Sequence, residues 1–143
     1  MSYTTSLLGG LAQLIAEAGI AAYRPDGVYG EADTGITIGV MPDNPDRIIC
    51  LTAYPVEDTH LTDAITGVQV RVRAGRDPRD ADHLADATFD LLHGREHFTA
   101  SGVYVAVCWR QGQAPLGQDQ LGRTEVTGNY YLRTIRPATN AYE

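Results

Sequence analysis

The side chains able to do chemistry are few, and their spacing does not favour it. His93 and His97 stand four residues apart, the separation of two metal ligands on one helix face. Gly94 lies between them and reads as a helix stop, and Glu96-His97 belongs to no zinc-protease motif. The histidines therefore read as solvated or packed against loops. Asp77, Asp80, Asp82, Asp86 and Asp90 could pair for acid–base work, but Asp82, Asp86 and Asp90 recur every four residues and read as a solvated stripe on a helix. Ser6 and Ser101 have no recognisable base and orienting carboxylate around them. Cys50 and Cys108 match no metal spacing and read as two buried, reduced thiols of a cytoplasmic protein. The glycines of residues 112–122 match no phosphate-binding loop. Arg71, Arg73, Arg76 and Arg79 form a basic cluster, diluted by Asp77, Asp80 and Asp82, so Arg–Asp pairing is expected before phosphate binding. No catalytic, cofactor or metal site is expected, and the chain does not read as an enzyme.

The bulk properties agree. A net charge of −7 argues against general nucleic-acid binding, which needs a basic footprint. All 11 basic residues are arginine, the side chain better suited to fixed bidentate contacts. With 143 residues, 43% hydrophobic and 20% charged, the expectation is one globular domain with a real core. No apolar run approaches the ~20 residues of a membrane span, and the first residues lack the basic lead and cleavage site of a secretion signal.

The elements that must position these residues centre on residues 66–94. Val68, Val70 and Val72 alternate with Gln69, Arg71 and Arg73, the period of a half-buried strand. Asp77 is placed to cap a following helix, Pro78 fits its first position, and Ala81, Leu84, Ala85, Thr88, Leu91 and Leu92 repeat at helical spacing up to Gly94. Residues 4–18 read as an amphipathic helix capped by Ser6 or a neighbouring Thr and ended by Gly19, with Gly9 and Gly10 either weakening it or permitting close packing on the sheet. Residues 24–31 are a Pro- and Gly-rich loop. Residues 35–41 and 47–54 read as two strands joined by the turn 42–46 into a hairpin, and 55–64 as an acidic loop. Residues 102–111 form a strand with Val103, Val105, Val107 and Trp109 on one face and Tyr104, Ala106, Cys108 and Arg110 on the other. Residues 112–123 are a long polar connection, 125–136 the last strand and 137–143 a tail.

This order predicts an α+β fold, a mixed, mostly antiparallel sheet of four to five strands with two helices packed on one face. The valine faces go under the helices. The other face would carry Gln69, Arg71, Arg73, Tyr104, Arg110, Tyr131 and Arg133. Two readings fit such a face: it is simply solvated, or its Arg and Tyr side chains form a protein interface.

Five stretches also carry a resemblance. The N-terminal helix, residues 68–75, residues 77–94, residues 103–123 and residues 128–137 together resemble the tail terminator proteins of long-tailed phages, closest to the group from phages of GC-rich actinobacterial hosts. The most specific pieces are Ala114-Pro115-Leu116-Gly117-Gln118-Asp119 and Gly128-Asn129-Tyr130-Tyr131-Leu132. The resemblance covers residues 66–137 well and the N-terminal half by layout. It implies a virion structural protein, assembled in the host cytoplasm. It also implies a homo-hexameric ring at the head-proximal end of the tail, which ends polymerisation of the tail tube protein and docks onto head-completion proteins of the neck. Genomic DNA passes through the lumen, and an acidic ring would repel it usefully. A neck protein one layer up, a head-closure or connector subunit, is the alternative within the virion.

A ring needs a heterologous interface, two different patches on each subunit. The candidate residues are Gln69, Arg71, Arg73, Arg76, Arg110 and Arg133, together with Gln118, Asp119 and Arg123 of the polar connection, which is expected to reach a neighbour or the tail tube. Asp58, Asp63 and the acids of residues 80–90 are their candidate partners. Reversing Arg71 and Arg73 to Glu is then expected to abolish the ring and leave the monomer folded.

Overall fold

The computed structural model describes residues 2–142. Two helices and six strands follow in the order α1 (Tyr3–Glu17), β1 (Thr34–Ile38), β2 (Arg47–Glu57), β3 (Asp63–Arg73), α2 (Pro78–Leu92), β4 (Arg95–Ala100), β5 (Val103–Gln118) and β6 (Thr124–Ile135). The strands make one sheet, β1-β2-β3-β6-β5-β4. The α+β class holds, with six strands in place of four to five. The sheet is mixed: β1 is parallel to β2, and each remaining neighbour pair is antiparallel.

Both helices share one hydrophobic core with Val68, Val70 and Val72 of β3. In α2, Asp77 caps the first turn by accepting from the Arg79 N–H at 3.0 Å, and Pro78 occupies the first position. Its buried side is Ala81, Leu84, Ala85, Thr88 and Leu92, the periodic residues of the sequence. Asp82, Asp86 and Asp90 face solvent. Gly94 ends the helix at φ +78°, a left-handed position that glycine takes without strain.

In α1 the cap is Ser2, whose Oγ accepts from the Thr5 N–H at 3.1 Å; Ser6 lies inside the helix. Leu7, Leu8, Leu11 and Ile15 are buried. Tyr3 anchors the start: its hydroxyl lies 2.7 Å from Thr66 Oγ1 and 2.6 Å from Thr134 Oγ1, a satisfied polar cluster between helix and sheet. α1 touches β1 and β2 towards one edge of the sheet and β4 and β5 towards the other, so the sheet curls around it. The closest approach is at Gly10, where a Cβ would lie 2.5 Å from the backbone carbonyl carbon of Ala100. Gly10 therefore permits the close packing.

The strands differ from the sequence reading at four places. β1 and β2 do not form a hairpin. Thr34 to Ile38 pair in parallel with Arg47 to Leu51, because residues 39–46 double back across the helix-free face before β2 begins. Residues 55–64 are less of a loop than their acidity suggests, since β2 runs to Glu57, β3 begins at Asp63, and the two pair as a hairpin. β4 has no apolar alternation to announce it, being an edge strand in which Glu96, His97 and Thr99 are exposed and only Ala100 is buried. β5 extends to Gln118, so most of the expected polar connection is strand, paired with β6 across bulges. The tail returns beside the start of β3, where Tyr142 N–H donates to the His60 carbonyl at 2.8 Å and the Thr62 N–H donates to the Tyr142 carbonyl at 2.8 Å. Glu143, its last residue, lies outside the described residues.

The start of β2 is tied to α2 by an ion pair between Arg47 and Asp80, and Asp80 also accepts from the Gly75 N–H at 3.2 Å. Arg47 holds the Asp80 carboxyl below its ordinary value, with the Gly75 bond adding to this against partial burial. A depressed carboxyl contributes stability in full above its unfolded pKa, and the contribution is lost as pH falls through the folded value. Asp80→Asn is therefore expected to lower stability at neutral pH by roughly 1 kcal/mol. The difference should shrink as pH falls through the carboxylate range and vanish once the Asp80 carboxyl is protonated in the folded chain as well. Urea unfolding across that range measures it, and a gap that persists in acid would show that the charge is not responsible.

Candidate functional site

The helix-free face of the sheet is laid out by strand register. Directly opposed residues of antiparallel strands share a face, so four rows cross β2, β3, β6 and β5. Tyr54, Gly67, Tyr131 and Trp109 form the first, and Thr52, Gln69, Asn129 and Gly112 the second. Cys50, Arg71, Thr127 and Ala114 form the third, and Ile48, Arg73, Glu125 and Gly117 the fourth.

The first row is an aromatic band. The ring of Tyr54 lies over Gly67, so close that a Cβ there would be 2.4 Å from ring carbons. The Tyr54 hydroxyl donates to Asn129 Oδ1 at 3.0 Å. Burial, and then the neighbouring Tyr131, push its pKa up. Tyr131 meets Trp109 edge to face at 5.9 Å. Tyr54, Trp109 and Tyr131 are each half-buried, so the band keeps part of its surface open to solvent among the described residues. Arg133 flanks it, paired to Asp63 at 3.1 Å.

Further along the face, the arginines turn inward. Arg71 Nε donates to Glu125 Oε1 at 2.7 Å, and that bond holds the guanidinium firmly protonated. Arg73 is 3% exposed and is spent on its own chain. Its Nε donates to the Asp46 carbonyl at 3.0 Å and its Nη2 to the Pro45 carbonyl at 2.7 Å and the Asp43 carbonyl at 3.4 Å. Arg123, 7% exposed, donates to the Asp43 carbonyl at 2.5 Å and pairs with Asp119 at 2.8 Å and Asp46 at 3.4 Å. Two buried guanidiniums thus pin residues 43–46 onto the corner of the face where Ile48 and Cys50 are also buried. Asp119 organises the turn into β6. Burial pushes its carboxyl up, but the Arg123 backbone N–H and guanidinium and the Leu121 N–H together hold it below its ordinary value. Reversing Arg73 with Arg71 would therefore break the monomer, and that pair cannot serve as a clean test of assembly.

Arg110 lies on the opposite face from the one expected. The bulge between Val105 and Val107 adds a residue to β5 and reverses the alternation beyond it. Cys108 becomes core, fully buried, its thiol pushed up to about 12 by desolvation. Trp109 moves to the helix-free face. Arg110 lies 4.1 Å over the ring of Phe89 on α2, and its backbone N–H donates to His93 Nδ1 at 3.0 Å. Arg76 and Gln118 are exposed and adjacent, with Gln118 Nε2 donating to the Arg76 carbonyl at 3.1 Å. Of the candidate residues, Gln69, Arg71 and Arg133 share the open face. Arg76 and Gln118 share its lower rim, and Arg73, Asp119 and Arg123 form the internal knot beside it.

Sequence reasoning missed Tyr54, Gly67, Trp109 and Asn129 as a unit. The aromatic residues were visible, but their alignment depends on a register between strands that no local pattern encodes.

Comparison with known proteins bears on this surface. Residues 14–134 match the family described as bacteriophage tail terminator protein. No curated protein matches the chain. Among solved structures, a chain from the virion of a native gene transfer agent particle shares the fold, with a TM-score of 0.64 at 16% identity over 94% of this chain and 99% of that chain. The family match spans most of the sequence, so the chain belongs to the bacteriophage tail terminator family and is a structural protein of the phage tail.

Proposed function

We propose that six copies of this chain form a ring at the head-proximal end of the tail tube, end polymerisation of the tube protein, and offer the docking surface for the head-completion proteins of the neck. The observation that carries the reading is the uncovered sheet face, where Tyr54, Tyr131, Trp109, Arg71 and Arg133 combine the side chains most enriched at protein interfaces. Assembly contacts are assigned to Gln69, Arg71, Arg76, Gln118 and Arg133. Arg73, Asp119 and Arg123 shape the corner beside them. The charge of −7 on each chain suits a lumen through which genomic DNA slides without sticking.

Electron microscopy of tail tube protein polymerised with and without this chain tests the proposal. The expected result is short, blunt tubes with one added ring of density at one end. Tubes of unchanged length with free ends would overturn it in favour of a head-closure or connector subunit, to be checked by binding to heads.

A further inference from the structure

Besides the outer edge of β4, which ends the sheet, two stretches of strand edge have no neighbouring strand among the described residues, and they lie on opposite sides. On one side, β4 pairs with β5 only as far as Cys108, so the outer edge from Gln111 to Gln118 has no neighbouring strand, and all eight of its residues are exposed. On the other side, β1 pairs with β2 only as far as Leu51, so the outer edge of residues 52–57 is bare. The β1 edge itself is closed by its own chain: the Ala22 N–H donates to the Thr34 carbonyl, the Ile36 N–H to the Ala22 carbonyl, and the Tyr29 hydroxyl to the Ile36 carbonyl.

The two bare edges are complementary. Residues 111–118 carry no charge in a chain that is 20% charged. They present Leu116 at 50% exposure. Arg110 precedes them, its Nη1 donating to Gln113 Oε1 at 3.2 Å, and the exposed Arg76 sits at their far end against Gln118. Residues 52–57 run into Glu57 and Asp58, and beside them lies a groove of about 450 Å³ lined by Ala53, Pro55, Leu61, Ala64, Arg136 and Ala138. One edge is neutral and apolar at its centre with arginine at both ends. The other has a mainly apolar groove and an acidic end. Two chains of −7 can approach most easily where one contact surface is uncharged and its flanks are opposite in sign.

We infer that the β5 edge of one subunit, residues 111–118, seats against the uncovered half of β2 of a second copy, with Leu116 entering the groove beside Ala53. This rests on the ring reading above. The contact joins unlike patches and is therefore heterologous, the kind that closes into a ring. Along the sheet the bare part of β5 runs from the level of Gln69 to that of Arg73, and the bare part of β2 from the level of Gln69 to that of Ile65. The two edges are therefore offset along the strands, as neighbouring strands are staggered in a closed barrel. Pro115, which lacks an N–H, and the bulges at Arg110/Gly112 and Pro115/Gly117 keep the β5 edge from templating an open ladder.

The test uses the full chain with tail tube protein. Leu116→Asp changes an exposed residue and is expected to leave the melting temperature of the free chain unchanged while reducing capped tubes about tenfold, the loss of one central apolar anchor. A Gln113→Cys, Val56→Cys double variant is expected to give covalent multimers with a bismaleimide linker only in assembled tails. If Leu116→Asp caps tubes as the parent does, and the cysteine pair does not link within rings that still form, the seam is wrong and the terminator reading stands. If the parent chain leaves tubes uncapped, the terminator reading falls and the seam with it.

Discussion

Replacing Arg73 with Met is expected to destabilise the chain by about 3 kcal/mol, because the carbonyls of Pro45 and Asp46 would lose the donor that this buried side chain supplies, and the Asp43 carbonyl would keep only Arg123. Methionine fills much of the stem's volume, so the loss reports the guanidinium and not a cavity. Lysine is not expected to rescue it: one ammonium cannot span three carbonyls that a planar fork meets in fixed geometry. Denaturant unfolding of the two variants beside the parent measures this. A parent-like free energy for Arg73→Met would mean that residues 43–46 hold their place without the arginine, and Arg123 would then be the anchor to remove. The same result bears on assembly, since these residues form the floor beside the candidate contacts Arg71 and Gln118.

Two adjacent glycines of α1 are expected to respond to the same substitution with opposite signs. At Gly9 the nearest atom to an added Cβ is the Tyr23 hydroxyl at 4.0 Å, so alanine gains helix propensity without a clash. Gly9→Ala should stabilise by up to about 1 kcal/mol. At Gly10 the added carbon meets the backbone of Ala100 at 2.5 Å. Backbone cannot rotate away, so helix and edge strand must separate. The overpacking of ~1–3 kcal/mol outweighs the propensity gain, and Gly10→Ala should be destabilising by roughly 1–2 kcal/mol. Thermal melts of the two single variants decide it: equal shifts of the same sign would show that the contact between α1 and β4 is not tight.

Much of this molecule is local, and local order was legible. The cap at Asp77, Pro78, the apolar repeat of α2 and the stop at Gly94 all appear where hydrophobic period and capping chemistry put them. The alternation of Val68, Val70 and Val72 put β3 under the helices, because successive strand residues must point to opposite faces. β4 was not legible, since an edge strand with little to bury needs no apolar pattern. Nor was the far half of β5, whose Gly and Pro content reads as loop, while the partner strand β6 supplies the hydrogen bonds that make it strand.

The sequence by itself determined the class of the fold, the core face of its central strand and both helices, an acidic surface, and a likeness to one family of virion proteins. Only the tertiary structure decided which arginines are available for contact. Arg71 and Arg73 are equivalent by alternation, yet one is part-exposed and the other buried, because a loop thirty residues away in sequence settles over the second. Arg110 belongs to the open face by counting and to the helix face in fact, because one bulge shifts the parity of β5. The aromatic band of Tyr54, Tyr131 and Trp109 arises in the same way. Side-chain period is a property of one strand and can be read along it, whereas register, bulges and the closing of loops over a face are settled by pairings between distant segments.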